Sequence, residues 1–323
     1  MRRLFFAITL VAVSCLSMSA YATDSQSDSC SKPKAPERQG WDNDIPLYGD
    51  VESVVVVTYE VEDKFGEVVR GDIKDCDKYY FNKAGDVFEE AEYNSDGRLV
   101  GKDIYKYDAS GNRIERAWYN SDGSLRSKDV YKYDASGNKI ERARYDYSEG
   151  SLWYKYIYKY DASGNMIEVA EYNSDGSLSS KWVYKYDTSG NKIEEAVYYP
   201  DGSLWSKDIY KYDTSGNMIE YAWYDSDGSL VCGNVYKHEY DTSGNVIEYD
   251  WCYSDGSLIL KYIYKYDASG NMIERAVYNP YGSLGSKYIC KYDTLGNLIE
   301  ETVYSGEALL PDRQTVYEIT YRK

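Results

Sequence analysis

From Val51 to the end, the chain alternates apolar and polar residues with a period of two, and no stretch carries a helical period. VESVVVVTYEVEDKFGEVV (51–69) reads as strand, turn and strand, and the same signature continues to TVYEITYRK at the C-terminus. The alternation is punctuated at regular intervals by two turn signals. One is Asp134-Ala135-Ser136-Gly137-Asn138, the other Asn120-Ser121-Asp122-Gly123-Ser124. Aspartate or asparagine suits the first position of a type I turn and glycine supplies the left-handed residue that follows, so both match a three-residue hairpin loop.

The punctuation is a tandem repeat. YKYDASGNRIERAWYNSDGSLRSKDV (105–130) returns with turn aspartates at 108, 134, 161, 187, 213, 241, 267 and 293, a period of about 26 residues. Two turns and two strands per unit predict an all-β antiparallel meander of roughly 18–20 strands that coils or rolls as strand twist accumulates. Residues 51–104 read as an N-terminal cap with degenerate copies, residues 105–304 as the regular hairpins, and residues 305–323 as a loop and a capping strand.

The turns imply a register. With Asp134 paired to Asn138, Tyr131 is expected opposite Glu141 and Ser127 opposite Tyr145; at the other turn Tyr119 meets Leu125 and Ala117 meets Ser127. One face then carries tyrosine, leucine, alanine and serine in every copy. The other carries Ile114, Val130 and Lys132, with two variable positions beside the second turn. These variable pairs are Trp118 with Arg126, Arg144 with Trp153, Val197 with Trp205, Trp223 with Val231, and Trp251 with Ile259. Five of seven tryptophans thus fall on one stripe, on the face expected to be wet. Cross-strand packing and cation–π pairing would explain such a stripe. So would an aromatic platform for sugar rings or a partner protein.

Composition narrows the choice. Residues 1–22 have a basic start at Arg2 and Arg3, an apolar Leu4–Val13 and Ala20-Tyr21-Ala22, the layout of a secretory signal peptide. Residues 23–50 are polar and read as a disordered tether. The net charge of −17 opposes nucleic acid and anionic membrane surfaces as partners, and no segment is apolar enough to span a bilayer as a helix. Forty tyrosines against five phenylalanines suit half-buried pleated surfaces, where the ring packs and the hydroxyl stays wet.

Other chemistry is thinly represented. The turns lack the spacing and distal glutamate of a calcium loop, so no metal is expected. Glu115, Glu141 and Glu168 recur once per copy and read as ladder residues, and His238 sits in a two-residue insertion without a nucleophile in sequence reach. In the repeat frame Cys232 takes the Ser127 position and Cys252 the Tyr145 position. If His238-Glu239 loops out, the two cysteines face each other, and an oxidising compartment would permit a disulfide. Cys30 and Cys76 could pin the tail to the first hairpins, and Cys290 is left over.

The Tyr-x-Tyr-Asp-x-x-Gly-Asn core followed by Asp-Gly-Ser-Leu, in tandem over about residues 79–299, resembles the YD repeat of the RHS/YD-repeat family. That resemblance implies a secreted or surface β protein whose repeats coil into a long sheet. It also implies association with carbohydrate, adhesion, or a shell around a toxin. The matching tyrosines, aspartates and glycines would be structural. The period exceeds the family's usual spacing near twenty, and the chain ends on a strand without a toxin domain, so a toxin shell is not the expected role. The leading expectation is a secreted, periplasmic or cell-surface, non-enzymatic protein. It would need no cofactor and bind polysaccharide or another surface component through Trp118, Arg126, Trp153, Trp205, Trp223 and Trp251. The alternatives are an adhesion or envelope scaffold and a remnant repeat shell without toxin.

Overall fold

A computed structural model describes residues 36, 38–42, 45–147, 150–306 and 310–323. The expected signal peptide and Cys30 lie outside the described residues. Among the described residues, twenty antiparallel strands form one sheet. The first two, β1 (Val51–Lys64) and β2 (Glu67–Phe81), are long; the repeats supply shorter strands such as β5 (Arg113–Asn120), β6 (Leu125–Tyr133) and β7 (Lys139–Asp146). Each strand pairs with its sequence neighbours, as the turn chemistry predicts. The sheet is not an open coil, however. The last strand, β20 (Leu310–Tyr321), pairs along β1, with Val54 opposite Ile319 and Val57 opposite Val316, and closes the meander into a barrel. Segments read as protective caps are therefore the two halves of a seam. Closure removes both unpaired edges, which is why no shielding end-copy is needed.

The turns have the expected hydrogen bonds. Asp134 N donates to Asn138 O at 2.9 Å, and Gly137, at φ +85°, donates to Asp134 O at 3.1 Å. The Asp134 carboxylate accepts the backbone N–H of Ser136 and of Asn138, both at 2.9 Å, and the Asn138 side-chain amide at 3.0 Å. These donors, the Asn138 amide first, hold its pKa below the ordinary carboxylate range. At the other turn Ser124 Oγ donates to Asp122 Oδ1 at 2.6 Å.

Beyond each turn the register departs from expectation by one residue. Tyr133 pairs with Lys139, but Lys132 then pairs with Glu141 and leaves Ile140 as a bulge. Tyr119 pairs with Leu125 as expected, but Trp118 then meets Ser127 and leaves Arg126 as a bulge. A bulge puts two residues opposite one, and side chains alternate with period two, so a one-residue offset moves a whole strand to the other face. One face consequently carries Glu115, Ala117, Lys128, Val130, Lys132 and Glu141. The other joins Arg116, Trp118, Ser127, Asp129, Tyr131 and Arg142.

The first of these, the lysine face, is laced by pairs such as Lys106–Glu115 at 2.9 Å and Lys132–Glu141 at 2.8 Å. The tyrosine face is packed: Tyr131 is 6% and Asp129 4% exposed. The bulges also explain much of the tyrosine content. The β5–β6 pairing ends at Glu115–Val130, leaving the Arg113 carbonyl beyond it, and the Tyr133 hydroxyl donates to that carbonyl at 2.8 Å. Tyr160, Tyr186, Tyr266 and Tyr292 do the same in other copies, to Lys139, Met166, Val246 and Met272, each at 2.8 Å. Such a bond is worth about 1 kcal/mol.

The stretch read as a disordered tether is partly built into the fold. Arg38, buried, donates to the carbonyls of Leu47, Gly85 and Gly49 at 3.2, 3.1 and 2.8 Å. Trp41 stands edge-on to Tyr79 at 5.0 Å and to Phe81 at 5.7 Å. With Leu47, Val51, Val54, Val87 and Tyr105 it forms the main apolar cluster. Gln39 reaches Gly111 O at 2.7 Å and Asn297 reaches Tyr48 O at 3.3 Å, so the segment lies along the Asp-Gly-Asn end of the strands flanking the seam. Its few apolar residues are too sparse for a sequence pattern, yet they cover the one place where β1, β2 and β20 meet. Trp41→Ala should lower the unfolding free energy by about 3 kcal/mol. Urea melts of the two proteins check this, and an unchanged midpoint would mean the segment is not docked.

Candidate functional site

The register places the variable positions on the tyrosine face instead of the wet lysine face. Trp118, Trp223 and Trp251 lie half-buried on it, opposite Ser127, Cys232 and Leu260. The Trp251 indole N–H is buried without a partner. Trp153 and Trp205 occupy bulge positions near the second turn, between the paired Leu152 and Tyr154 and between Leu204 and Ser206; they are 58% and 42% exposed. The single stripe thus divides into a row along the strands and an exposed set at their Asp-Gly-Ser ends. Tyr147, Tyr199, Tyr253 and Tyr281 are exposed at that same end. Trp205 packs beside Tyr199 at 6.4 Å.

Trp118 and Arg126 do meet, although not as ladder partners. The bulge swings Arg126 so that its guanidinium lies 3.9 Å from the Trp118 ring centre. Arg144 lies 5.8 Å from the Trp153 ring. Contacts of this kind contribute about 0.5–1 kcal/mol where exposed.

Below Trp118 lies a group that the stripe alone did not reveal. Arg116 forks onto Asp103 with Nε–Oδ1 and Nη2–Oδ2 both at 2.8 Å. Arg142 donates to Asp129 Oδ2 at 2.8 Å, and Arg144 donates to Tyr154 Oη and Ser127 Oγ, each at 3.2 Å. Asp103, Arg116, Trp118, Ser127, Asp129 and Arg144 line a cavity of about 290 Å³. Of these, Trp118 and Arg144 were legible as variable positions, but without the bulges Arg116 and Asp129 fall on opposite faces and no cluster forms. Neighbouring β3 (Val87–Asn94) adds Glu90, which accepts the Tyr105 phenol at 2.7 Å.

The expected cysteine pair is not brought together. His238 and Glu239 stay in the strand β14 (Leu230–Tyr240), opposite Tyr249 and Glu248, because both flanks keep their ladder bonds. Cys252 therefore faces Val235 and keeps a free, buried thiol, while Cys232 faces Trp223. His238 packs 5.0 Å from the Tyr249 ring, and burial lowers its basicity.

Asp77 on β2 faces Glu92, and burial first, then Glu90, Glu92 and Asp75, push its carboxyl up to about 6. The folded chain thus holds a proton there that the unfolded chain releases near pH 4. This group's effect on stability is least unfavourable below pH 4 and worsens as pH rises through about 6. Asp77→Asn should melt higher than the native chain at pH 7.5, with the gap closing at pH 4. A gap independent of pH would exclude this carboxyl as the cause.

Comparison with known proteins is sparse. Residues 149–196 match the model of a family described as "Protein of unknown function (DUF2963)", too short a part of the chain to assign it to a family. No curated protein matches. Among solved structures, a Tc holotoxin pore of Photorhabdus luminescens is similar over 77% of this chain and 15% of its own, at 12% identity and a TM-score of 0.37. The chain thus spans a small fraction of that toxin component. A porin-like protein from Bacteroides uniformis is similar over 84% of this chain and 96% of its own, at 12% identity and a TM-score of 0.33. Likeness this weak carries no argument about function. Among the described residues no helix is long and apolar enough to cross a membrane.

Proposed function

We propose that this is a non-enzymatic binding barrel, exported from the cytoplasm, that engages polysaccharide through the aromatic residues at its Asp-Gly-Ser end. The observation that carries this reading is the asymmetry of the two ends. Trp153, Trp205, Tyr147, Tyr199, Tyr253 and Tyr281 are exposed at one, whereas the N-terminal segment lies along part of the other. Flat aromatic rings that stay exposed suit the apolar faces of sugars, and the phenol hydroxyls suit their rims. The 1–22 leader pattern and the tandem Tyr-Asp core, with its likeness to RHS/YD repeats, support an extracytoplasmic carbohydrate role.

Charges midway along both faces oppose a lipid-embedded barrel, which needs an apolar band about 25 Å tall. Lys128 and Glu115 sit at 3.4 Å on one face, Arg142 and Asp129 at 2.8 Å on the other. A second reading, docking of a surface protein, draws on Leu230 and Val231, apolar residues exposed at the same end.

The test is a pull-down of the full chain on a panel of insoluble and surface polysaccharides, beside a Trp153→Ala/Trp205→Ala variant with an unchanged melting curve. Retention of the native chain and at least tenfold weaker retention of the variant are expected. Equal retention would remove the aromatic end from the site, and capture of a surface protein with no glycan retained would favour the second reading.

A further inference from the structure

Closure pairs the edges of the wall, but the β1–β2 hairpin runs on past it and opens them again. β1 pairs with β20 as far as Glu60, opposite Arg313, and β2 pairs with β3 only from Asp75, opposite Asn94. Among the described residues Glu67–Lys74 therefore has β1 on one side and no strand on the other, over about 25 Å. Glu67 and the run from Arg70 to Lys74 are exposed, so no described residue covers that edge. Odd-numbered strands all run to the Asp-Gly-Ser end, so this finger projects at the same end as the exposed aromatic residues.

The tip is a two-residue loop, Phe65-Gly66, between the paired Lys64 and Glu67. Both loop residues have positive φ, +59° and +87°, the type I′ turn that asparagine and glycine form most readily. A phenylalanine is strained there by its Cβ, and its ring is wholly exposed, so no packing contact offsets the strain. The finger is nevertheless set in direction. Between the pairs Tyr59–Ile73 and Val61–Arg70, Gly71 and Asp72 together span Glu60, a bulge that bends the hairpin. Arg70 then reaches back to the wall, donating to Gln314 and, at 3.0 Å, to Glu300, and it lies 5.3 Å from the Tyr59 ring.

Residues 60–75 hold six carboxylates, those of Glu60, Glu62, Asp63, Glu67, Asp72 and Asp75, against Lys64, Arg70 and Lys74. Arg313 opposite Glu60, Glu300 under Arg70 and Lys291 on Glu300 add two cations and one carboxylate, so carboxylates remain two in excess. An open strand edge is completed by an added strand. Charge on the edge selects which strand: a second acidic copy is repelled and a basic one is drawn in. The same charge opposes an anionic membrane, and a sugar chain has no row of amide groups at the spacing of the edge.

We infer that the β1–β2 hairpin docks an extended, basic segment of a partner protein. The segment is added as a strand along Glu67–Lys74 and lays a lysine or arginine over the Phe65 ring. This contact does not depend on the polysaccharide reading.

The probes are eight-residue peptides titrated against the full chain by fluorescence anisotropy. One alternates lysine and valine, one alternates glutamate and valine, and the third is the lysine peptide N-methylated at every backbone amide. Because a chain of net charge −17 attracts any cation, the methylated peptide, equal in charge and unable to donate to a strand, sets the baseline. The plain lysine peptide should bind at least about tenfold more tightly than either of the others. Phe65→Asn, which suits the turn, should melt no lower than the native chain yet bind that peptide several-fold more weakly. Glu67→Lys/Asp72→Lys should make the glutamate peptide the tighter ligand. Equal binding of the methylated and plain lysine peptides overturns the proposal, as does binding that neither variant changes. A dimer in solution that Phe65→Asn dissolves would seat a second copy on the edge and overturn it as well.

Discussion

The structure depends on a bulged hairpin turn closed by one carboxylate. In Asp-x-x-Gly-Asn turns such as Asp134–Asn138 the aspartate takes two backbone N–H groups and an asparagine amide, and at Asp293 three N–H groups, which fixes where the chain reverses. The bulge that follows fixes which side chains share a face. Those two local facts, repeated around the barrel, decide the ladder of phenols that meet unpaired carbonyls, the ion pairs of the lysine face and the cluster of arginines beneath Trp118. Among the described residues no second layer covers these elements away from the N-terminal segment, so register does the work that a two-layer core does elsewhere.

Because the scaffold is supplied by what repeats, the binding role proposed above is assigned to what varies. Trp118, Arg144, Glu171, Val197, Trp223 and Trp251 hold equivalent positions on one face, each beside a bulge residue of equal variety. A periodic wall tolerates such substitutions because its turns and phenol bonds lie elsewhere. The charged cavity and the exposed aromatic end adjoin each other, since cavity-lining Arg144 lies 5.8 Å from the Trp153 ring.

Reading the chain by its turns located the strands correctly and assigned faces wrongly. The reversal at Asp134–Asn138 and the Tyr119–Leu125 pair were legible because each is set by residues within five positions of one another. Ile140 and Arg126 carry no mark of a bulge: both are ordinary strand residues, and only the three-dimensional twist of paired strands sets the extra residue aside. That slip put the tryptophans on the wet face and hid Arg116 and Asp129 from each other. The same limit applied at His238-Glu239, where keeping two added residues within the ladder proved compatible with both neighbours and so separated Cys232 from Cys252.

The sequence alone determined the all-β class, the repeat, the turns and the positions where copies differ, since all of these follow from short-range preferences of glycine, aspartate and alternating side chains. Tertiary structure decided the closure of β20 onto β1, the docking of Trp41 and the convergence of Asp103, Arg116, Asp129 and Arg144. The seam joins residues some 250 positions apart. No local propensity encodes such a pairing: it forms because closing the ring satisfies two edges of backbone donors and acceptors that would otherwise face water.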